Sequence, residues 1–310
     1  MTFHSASIVF TLWRGGRAKL FWAVFVSLVL VSCGGGGTPQ NPDLAETRRI
    51  PPAEVIATSI TLADSPALIS VAGGAAWLVW SQDAAGGEMV IAAHLEKGRA
   101  PTLMNVSANP VYSARLTRLV PVNGMAVASW VASSLHDSTL WAAVWNGVDW
   151  VTEQVVHIAD KGSAITGLEL IGTANGDVHV VWLEYHGTGF QLLSKRRYAN
   201  GSWSPQQVIR SLEGGLCLST KLLLSEDKHG AIMLVWGESI TAPGDEHDTR
   251  TLWSARFDAT SGNWTPSVAV HAGGRYERPV LGADASWKLD CRMDRHVGHA
   301  QPLVVHSRSG

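Results

Sequence analysis

Gly176-Asp177-Val178-His179-Val180-Val181-Trp182 is the stretch from which the fold reads outward. A glycine opens it, a tryptophan six positions later closes it, and strand-forming residues fill the interval. The same spacing returns as Gly74–Trp80 (GAAWLVW), Gly124–Trp130 (GMAVASW) and Gly230–Trp236 (GAIMLVW). Copies about fifty residues apart are the mark of an internal repeat. Runs this continuously apolar, rather than alternating, predict strands buried on both faces. The opening glycine, preceded by Asn123, Asn175 or His229, predicts the hairpin turn that enters each strand.

Each copy has a second half. In the third it runs Leu192–Tyr198 (LLSKRRY), Asn200–Pro205 (NGSWSP) and Gln207–Ile209. The fourth repeats this as Leu252–Phe257 (LWSARF), Gly262–Pro266 (GNWTP) and Val268–Val270. The second has Leu140–Trp145 (LWAAVW), Gly147–Trp150 (GVDW) and Gln154–Val156. Each unit therefore predicts four short antiparallel strands joined by glycine-bearing turns. A sheet of that size needs neighbours to cover its faces, which is the definition of a propeller blade. The predicted fold class is all-β: a β-propeller of four-stranded blades spanning residues 51–286. About four and a half blades are present, truncated from a closed ring.

Composition agrees with a repeated packing position. There are 14 Trp and 31 Gly against only 4 Tyr and 6 Phe. A large apolar plate at the same place in every blade predicts packing between neighbouring sheets. Stacking on a sugar is the alternative to packing only for the tryptophans read as lying on turns, Trp150, Trp203 and Trp264.

The units resemble the sialidase-like and BNR-type propeller repeats over most of residues 57–285. That family's Asp-box, Ser-x-Asp-x-Gly-x-x-Trp, sits on a turn like Ala199–Trp203 or Thr260–Trp264. Here the Gly and Trp remain and the Asp is missing. For the sialidases the resemblance implies a Tyr nucleophile and an Arg triad gripping a substrate carboxylate. Arg275-Tyr276-Glu277-Arg278 is the cluster offered for ligand binding on that basis. The corresponding inner positions of other blades carry Arg115, Thr166 and Lys221, so no triad can be assigned.

The chain opens differently. Arg14, Arg17 and Lys19 precede the apolar run Leu20–Leu30 (LFWAVFVSLVL), which is shorter than the roughly 20 residues a spanning helix needs. Leu30-Val31-Ser32-Cys33 then resembles the lipobox of bacterial lipoproteins. The resemblance implies a signal peptide over residues 1–32, diacylglyceryl transfer to the Cys33 thiol, cleavage before it, and N-acylation of the new terminus. Several acyl chains, each burying roughly 0.8 kcal/mol per CH₂, hold a protein stably where one does not. Residues 33–50, with Gly34–Gly37 and two prolines, predict a flexible tether. Gly34 stands where an inner-membrane retention signal carries Asp, so the expected site is the outer membrane, with the propeller in the periplasm or at the cell surface.

Pro52–Ile56 (PAEVI) mimics Pro205–Ile209 (PQQVI), the end of a blade, and predicts an outer strand that closes the ring. Arg278–Ser286 opens a fifth unit, after which residues 287–310 lose strand periodicity. Shifting the reading by one base forces Gly at Trp287 and Trp at Met293, because TGG-A and ATG-G then read GGA and TGG. Those two stand six apart, like every other pair. We therefore read residues 287–310 as the product of a single-base frameshift, in which Cys291, His296, His299 and His306 carry no function and the fifth blade is incomplete.

The rest of the chemistry is sparse. Cys33, Cys217 and Cys291 form no disulfide framework and no C-x-x-C pattern, and no cofactor is expected. Neither G-x-S-x-G nor H-E-x-x-H occurs. With 24 Lys+Arg against 26 Asp+Glu and no basic cluster, nucleic acid is not an expected partner. The loop Asp245-Glu246-His247-Asp248 offers oxygen and imidazole ligands for a divalent cation. Asp83, His136 and Asp137 read as loops of the same class, from which a binding face could be built. The expected function is a lipid-anchored binding or assembly module holding a protein or glycan, and not an enzyme. The alternative is a sialidase-like glycan hydrolase whose catalytic residues are partly lost.

Overall fold

The computed structural model describes residues 66–134, 137–187, 189–213, 217–227, 230–240, 249–272, 289–291 and 303–305. The first sheet holds β1 (Ala67–Ser70), β2 (Ala76–Ala84), β3 (Gly87–Leu95) and β4 (Thr102–Asn105). The second holds β5 (Ser113–Val122), β6 (Met125–Ser133), β7 (Ser138–Trp145) and β8 (Trp150–Ile158). The third holds β9 (Ala164–Gly172), β10 (Val178–Tyr185), β11 (Gly189–Arg197) and β12 (Gln207–Glu213). In the fourth, β13 (Cys217–Glu226), β14 (Ile232–Ile240) and β15 (Thr249–Asp258) are followed by a divided outer strand. Its two pieces, β16 (Asn263–Trp264) and β17 (Val268–Ala272), both pair with β15.

Every sheet is an antiparallel meander in chain order. The first strands β1, β5, β9 and β13 pack against one another in succession, so each sheet leads with its inner edge. This is the β-propeller arrangement that the repeat predicted.

The cores lie between sheets, not within them. Along β6, Ala126, Ala128 and Trp130 enter a core shared with Trp77, Val79 and Val90 of the first sheet. The alternate residues Val127 and Val131 enter a core shared with Ile165, Val180 and Trp182 of the third. Period-two alternation thus sends one strand's side chains into two cores, which is why no polar alternation is visible in its sequence. A third core joins Val181 and Leu183 to Leu234 and Trp236. Trp130, Trp182 and Trp236 all face the preceding sheet and are 2% exposed or less. Burying a tryptophan removes about 150–250 Å² from water. That is worth roughly 4–6 kcal/mol as an upper value.

Asn123 and Gly124 link β5 to β6 as a two-residue turn, with φ of 46° and 76°. Positive φ at both central positions is the type I′ signature whose twist matches the flanking strands. Three of the four inner strands are also irregular near their start. The register slips between Arg115 and Arg118 in β5, opposite Leu183–Glu184 in β9, and between Ser219 and Leu223 in β13.

Several expectations are corrected. Trp150, Trp203 and Trp264 are not free on turns: they pair with Trp145, Arg197 and Phe257 and pack into the three cores. Asp83 lies within β2 opposite Glu88, because the turn is the two residues between Ala84 and Gly87. Residues 287–310 carry a short ladder, β18 (Leu289–Cys291) paired with β19 (Leu303–Val305). Three-residue strands are too short to show a period in sequence. The leader with Cys33, the strand Pro52–Ile56, the loop Asp245–Asp248, the cluster Arg275–Arg278 and His136 lie outside the described residues. So do Trp287, Met293, His296, His299 and His306.

Candidate functional site

The pairing Ser113↔Ser133 and Ser133↔Ser138 sets the start of β5, the end of β6 and the start of β7 in one row. Ala159 donates its N–H to the Ser138 carbonyl at 2.9 Å, bringing the β8–β9 connection to the same end. A cleft of about 490 Å³ opens there, lined by Tyr112, Arg115, Ser133, Asp137, Lys161 and Ser163. Asp137 is where the loop reading put it, held by its N–H to Ser134 Oγ at 3.0 Å.

The cleft's polar groups are incompletely used by the protein. Arg115 donates Nη2–H to the Ile165 carbonyl at 3.2 Å, while its Nε has no partner among the described residues. Ser133 Oγ is likewise sealed and without a partner among the described residues. Buried polar atoms normally find partners, and these two lie in the wall of the cleft. Tyr112 at the rim is 67% exposed, a flat apolar face open to a ligand. Two cations stand against one carboxylate among these lining residues.

Behind the cleft the second and third sheets meet through a polar cluster. His157 on β8 donates Nε2–H to Glu184 Oε2 on β10 at 2.6 Å. Glu184 Oε1 accepts the Asp160 N–H at 3.3 Å and lies 3.8 Å from His186 Nδ1. His186 Nδ1 and Ser163 Oγ are 2.9 Å apart, joining the cluster to the cleft wall. Burial, the largest influence on Glu184, pushes its carboxyl up. The hydrogen bond and charge of His157, the Asp160 amide and the His186 charge outweigh it and hold the group below the usual range. Glu184 is therefore ionised at neutral pH.

A second cavity of about 250 Å³ lies between the third and fourth sheets, lined by His179, Lys195, Arg196, Tyr198 and Gln207. Its groups are committed to the protein. Arg196 grips Asp177 Oδ2 through Nε and Nη2, and Lys195 donates to the Val156 carbonyl at 2.6 Å. Burial lowers the Lys195 ammonium below its ordinary range.

Of the residues singled out in the sequence, Arg115 and Asp137 come together at the cleft. His157, Asp160, Ser163, Glu184 and His186 were not legible as a group. The signal that could have found them is positional: Glu184 and Glu238 both stand two residues after the repeat tryptophan.

No family model matches the chain, and no curated protein does either. Solved structures of similar fold include the Penicillium chrysogenum alpha-L-arabinanase complexed with arabinobiose, at 10% identity and TM-score 0.49. That match covers 66% of this chain and 65% of the other. The alpha-L-arabinofuranosidase of Fusarium graminearum gives 10% identity, TM-score 0.47 and the same 66% and 65% coverage. An endo-arabinase from Bacteroides thetaiotaomicron gives 8% identity and TM-score 0.44 over 83% of this chain and 96% of the other. The chain thus spans 65% of the length of the first two. The likeness is one of fold alone. In class, the molecule is a β-propeller with a polar cleft at one end.

Proposed function

We propose that the chain is an exported β-propeller, anchored through acylated Cys33, that binds a glycan in the cleft between its second and third sheets. The observation that carries this reading is the open cleft, lined by Arg115, Lys161, Ser133 and Ser163 beside the exposed face of Tyr112. Sugars present hydroxyls to such polar side chains and a C–H face to the ring. Binding is favoured over hydrolysis because most glycoside cleavage needs two positioned carboxylates, and the sialidase route needs an Arg triad that cannot be assigned in this sequence. Asp137 is the one carboxylate among the described residues lining the cleft.

A glycan array followed by calorimetry on the best ligand tests the cleft. Arg115→Ala and Tyr112→Ala should each weaken binding by about tenfold or more, roughly the 1–2 kcal/mol of a lost hydrogen bond or ring contact. Binding unchanged in both variants would move the site elsewhere, and turnover of the bound glycan would restore the hydrolase alternative. Labelled palmitate should enter the wild-type chain and not Cys33→Ala, which should leave the membrane fraction. Absence of label would remove the anchor from the reading.

A further inference from the structure

We infer that Asp160, Glu184 and His186 form a binding site for a divalent cation of the Zn²⁺ class, set in the seam between the second and third sheets. One ligand atom from each lies within 4.8 Å of the others. Glu184 is fixed: its side chain is 2% exposed, and His157 holds Oε2 while Oε1 has only the long 3.3 Å contact from the Asp160 amide. A hydrogen-bonded second oxygen is how a carboxylate ligand is normally oriented from outside the first shell. Asp160 is exposed on a turn closed by the Ser163 N–H to its own carbonyl at 2.8 Å, so its carboxylate can rotate inward. Bonds of about 2.0–2.2 Å place ligand atoms about 3–4 Å apart, so the cluster needs to contract by roughly an ångström.

The third ligand is not acidic. His186 turns Nδ1 toward the cluster, 3.8 Å from Glu184 Oε1 and 2.9 Å from Ser163 Oγ, so an ion would take that nitrogen in place of the serine contact. The other sheets supply a contrast. Arg210 and Glu238 close the next seam with a guanidinium and need nothing more. At the position of His186, four residues past the repeat tryptophan, the other sheets carry Ala84, Ser134 and Ile240. Imidazole and carboxylate together suit Zn²⁺ better than Ca²⁺ or Mg²⁺, which prefer oxygen-only shells.

The test is Zn²⁺ and Ca²⁺ titration of the purified, metal-stripped chain, read by calorimetry and by thermal unfolding. Zn²⁺ at 100 times its Kd should raise Tm by about 5–10 °C, and Ca²⁺ should not. His186→Ala and Asp160→Asn should each lose one equivalent of bound Zn²⁺, with Trp fluorescence and circular dichroism unchanged. His157→Gln, which leaves the three ligands in place, should weaken binding by about 10- to 100-fold. His247→Ala should retain that equivalent. Wild-type stoichiometry and affinity in both His186→Ala and Asp160→Asn, or Ca²⁺ bound more tightly than Zn²⁺, overturns the proposal.

Discussion

Arg210 on the outer strand of the third sheet grips Glu238 on the second strand of the fourth, with Nη2–Oε2 at 3.0 Å and Nε on Oε1. His157 and Glu184 stand at the same two places one sheet earlier: His157 pairs with Leu140, Arg210 with Leu192, and both glutamates follow the repeat tryptophan by two. Two successive seams are thus fastened by one device, a base on the outgoing strand and a carboxylate on the incoming sheet.

Glu238 is 4% exposed, so removing its partner strands a charge. Arg210→Met should destabilise by roughly 2–4 kcal/mol, somewhat below the range for fully buried pairs because Arg210 remains partly in water. The change also removes a guanidinium 3.7 Å from the Trp253 ring. Urea unfolding measures it, and adding Glu238→Gln should recover part of the loss. No loss in the single variant would make the seam a packing contact alone.

His179 makes stability depend on pH. Its pKa falls from 6.5 to about 4, chiefly through burial, with Arg196 adding to the fall. Above pH 6.5 the ring is neutral in both states and contributes no slope. Between 6.5 and 4 the unfolded chain gains a proton that the folded chain refuses. Stability should therefore fall across that window by about 3 kcal/mol and flatten below it. His179→Phe preserves an aromatic ring against Phe257, 4.4 Å away, and should remove this component of the slope. Equal slopes in the two proteins from pH 7.5 to 4 would contradict the assignment.

Two glycines should respond differently to alanine. At Gly172 a Cβ would stand 2.4 Å from the Pro121 carbonyl oxygen, backbone of the neighbouring inner strand. At Gly124 the space is open and only the positive φ opposes the change. Gly124→Ala should cost about 1–2 kcal/mol. Gly172→Ala should cost more, since it pushes two sheets apart. Chemical denaturation ranks them, and the reverse order would mean that the inner strands have room to separate.

Trp182→Ala should cost about 3–5 kcal/mol, since the ring is fully buried between the second and third sheets. Trp264→Phe keeps the plate and deletes one hydrogen bond, from Nε1 to Ser194 Oγ at 2.8 Å across a seam. It should cost about 1 kcal/mol. Similar losses for the two would show that the core tryptophans are not the main contacts.

The strands were legible because each must be apolar on both faces, and Gly-x₅-Trp repeats wherever a β-hairpin enters such a strand. The Asn123-Gly124 turn was legible for the same local reason. The turn tryptophans were not: whether Trp150 faces solvent depends on Trp77 and Trp145, and Trp77 lies 73 residues earlier on another sheet. The cleft and the Glu184 cluster were hidden on similar grounds. Their members come from the ends of strands and from the connections after β6, β8 and β10, which touch only once two sheets have stacked. Charged residues there also lack the periodicity that betrays a core.

The paired seams carry an implication for how such a chain could lengthen. Residues 164–213 hold a glutamate toward the sheet before and an arginine toward the sheet after, so the segment is complementary to itself. A tandem duplication of that stretch would set Arg210 of one copy against Glu184 of the next, and Trp182 of the second against the back of the first. The new joint would arrive already matched in charge and shape, and the copied connections would be left free to diverge toward new ligands.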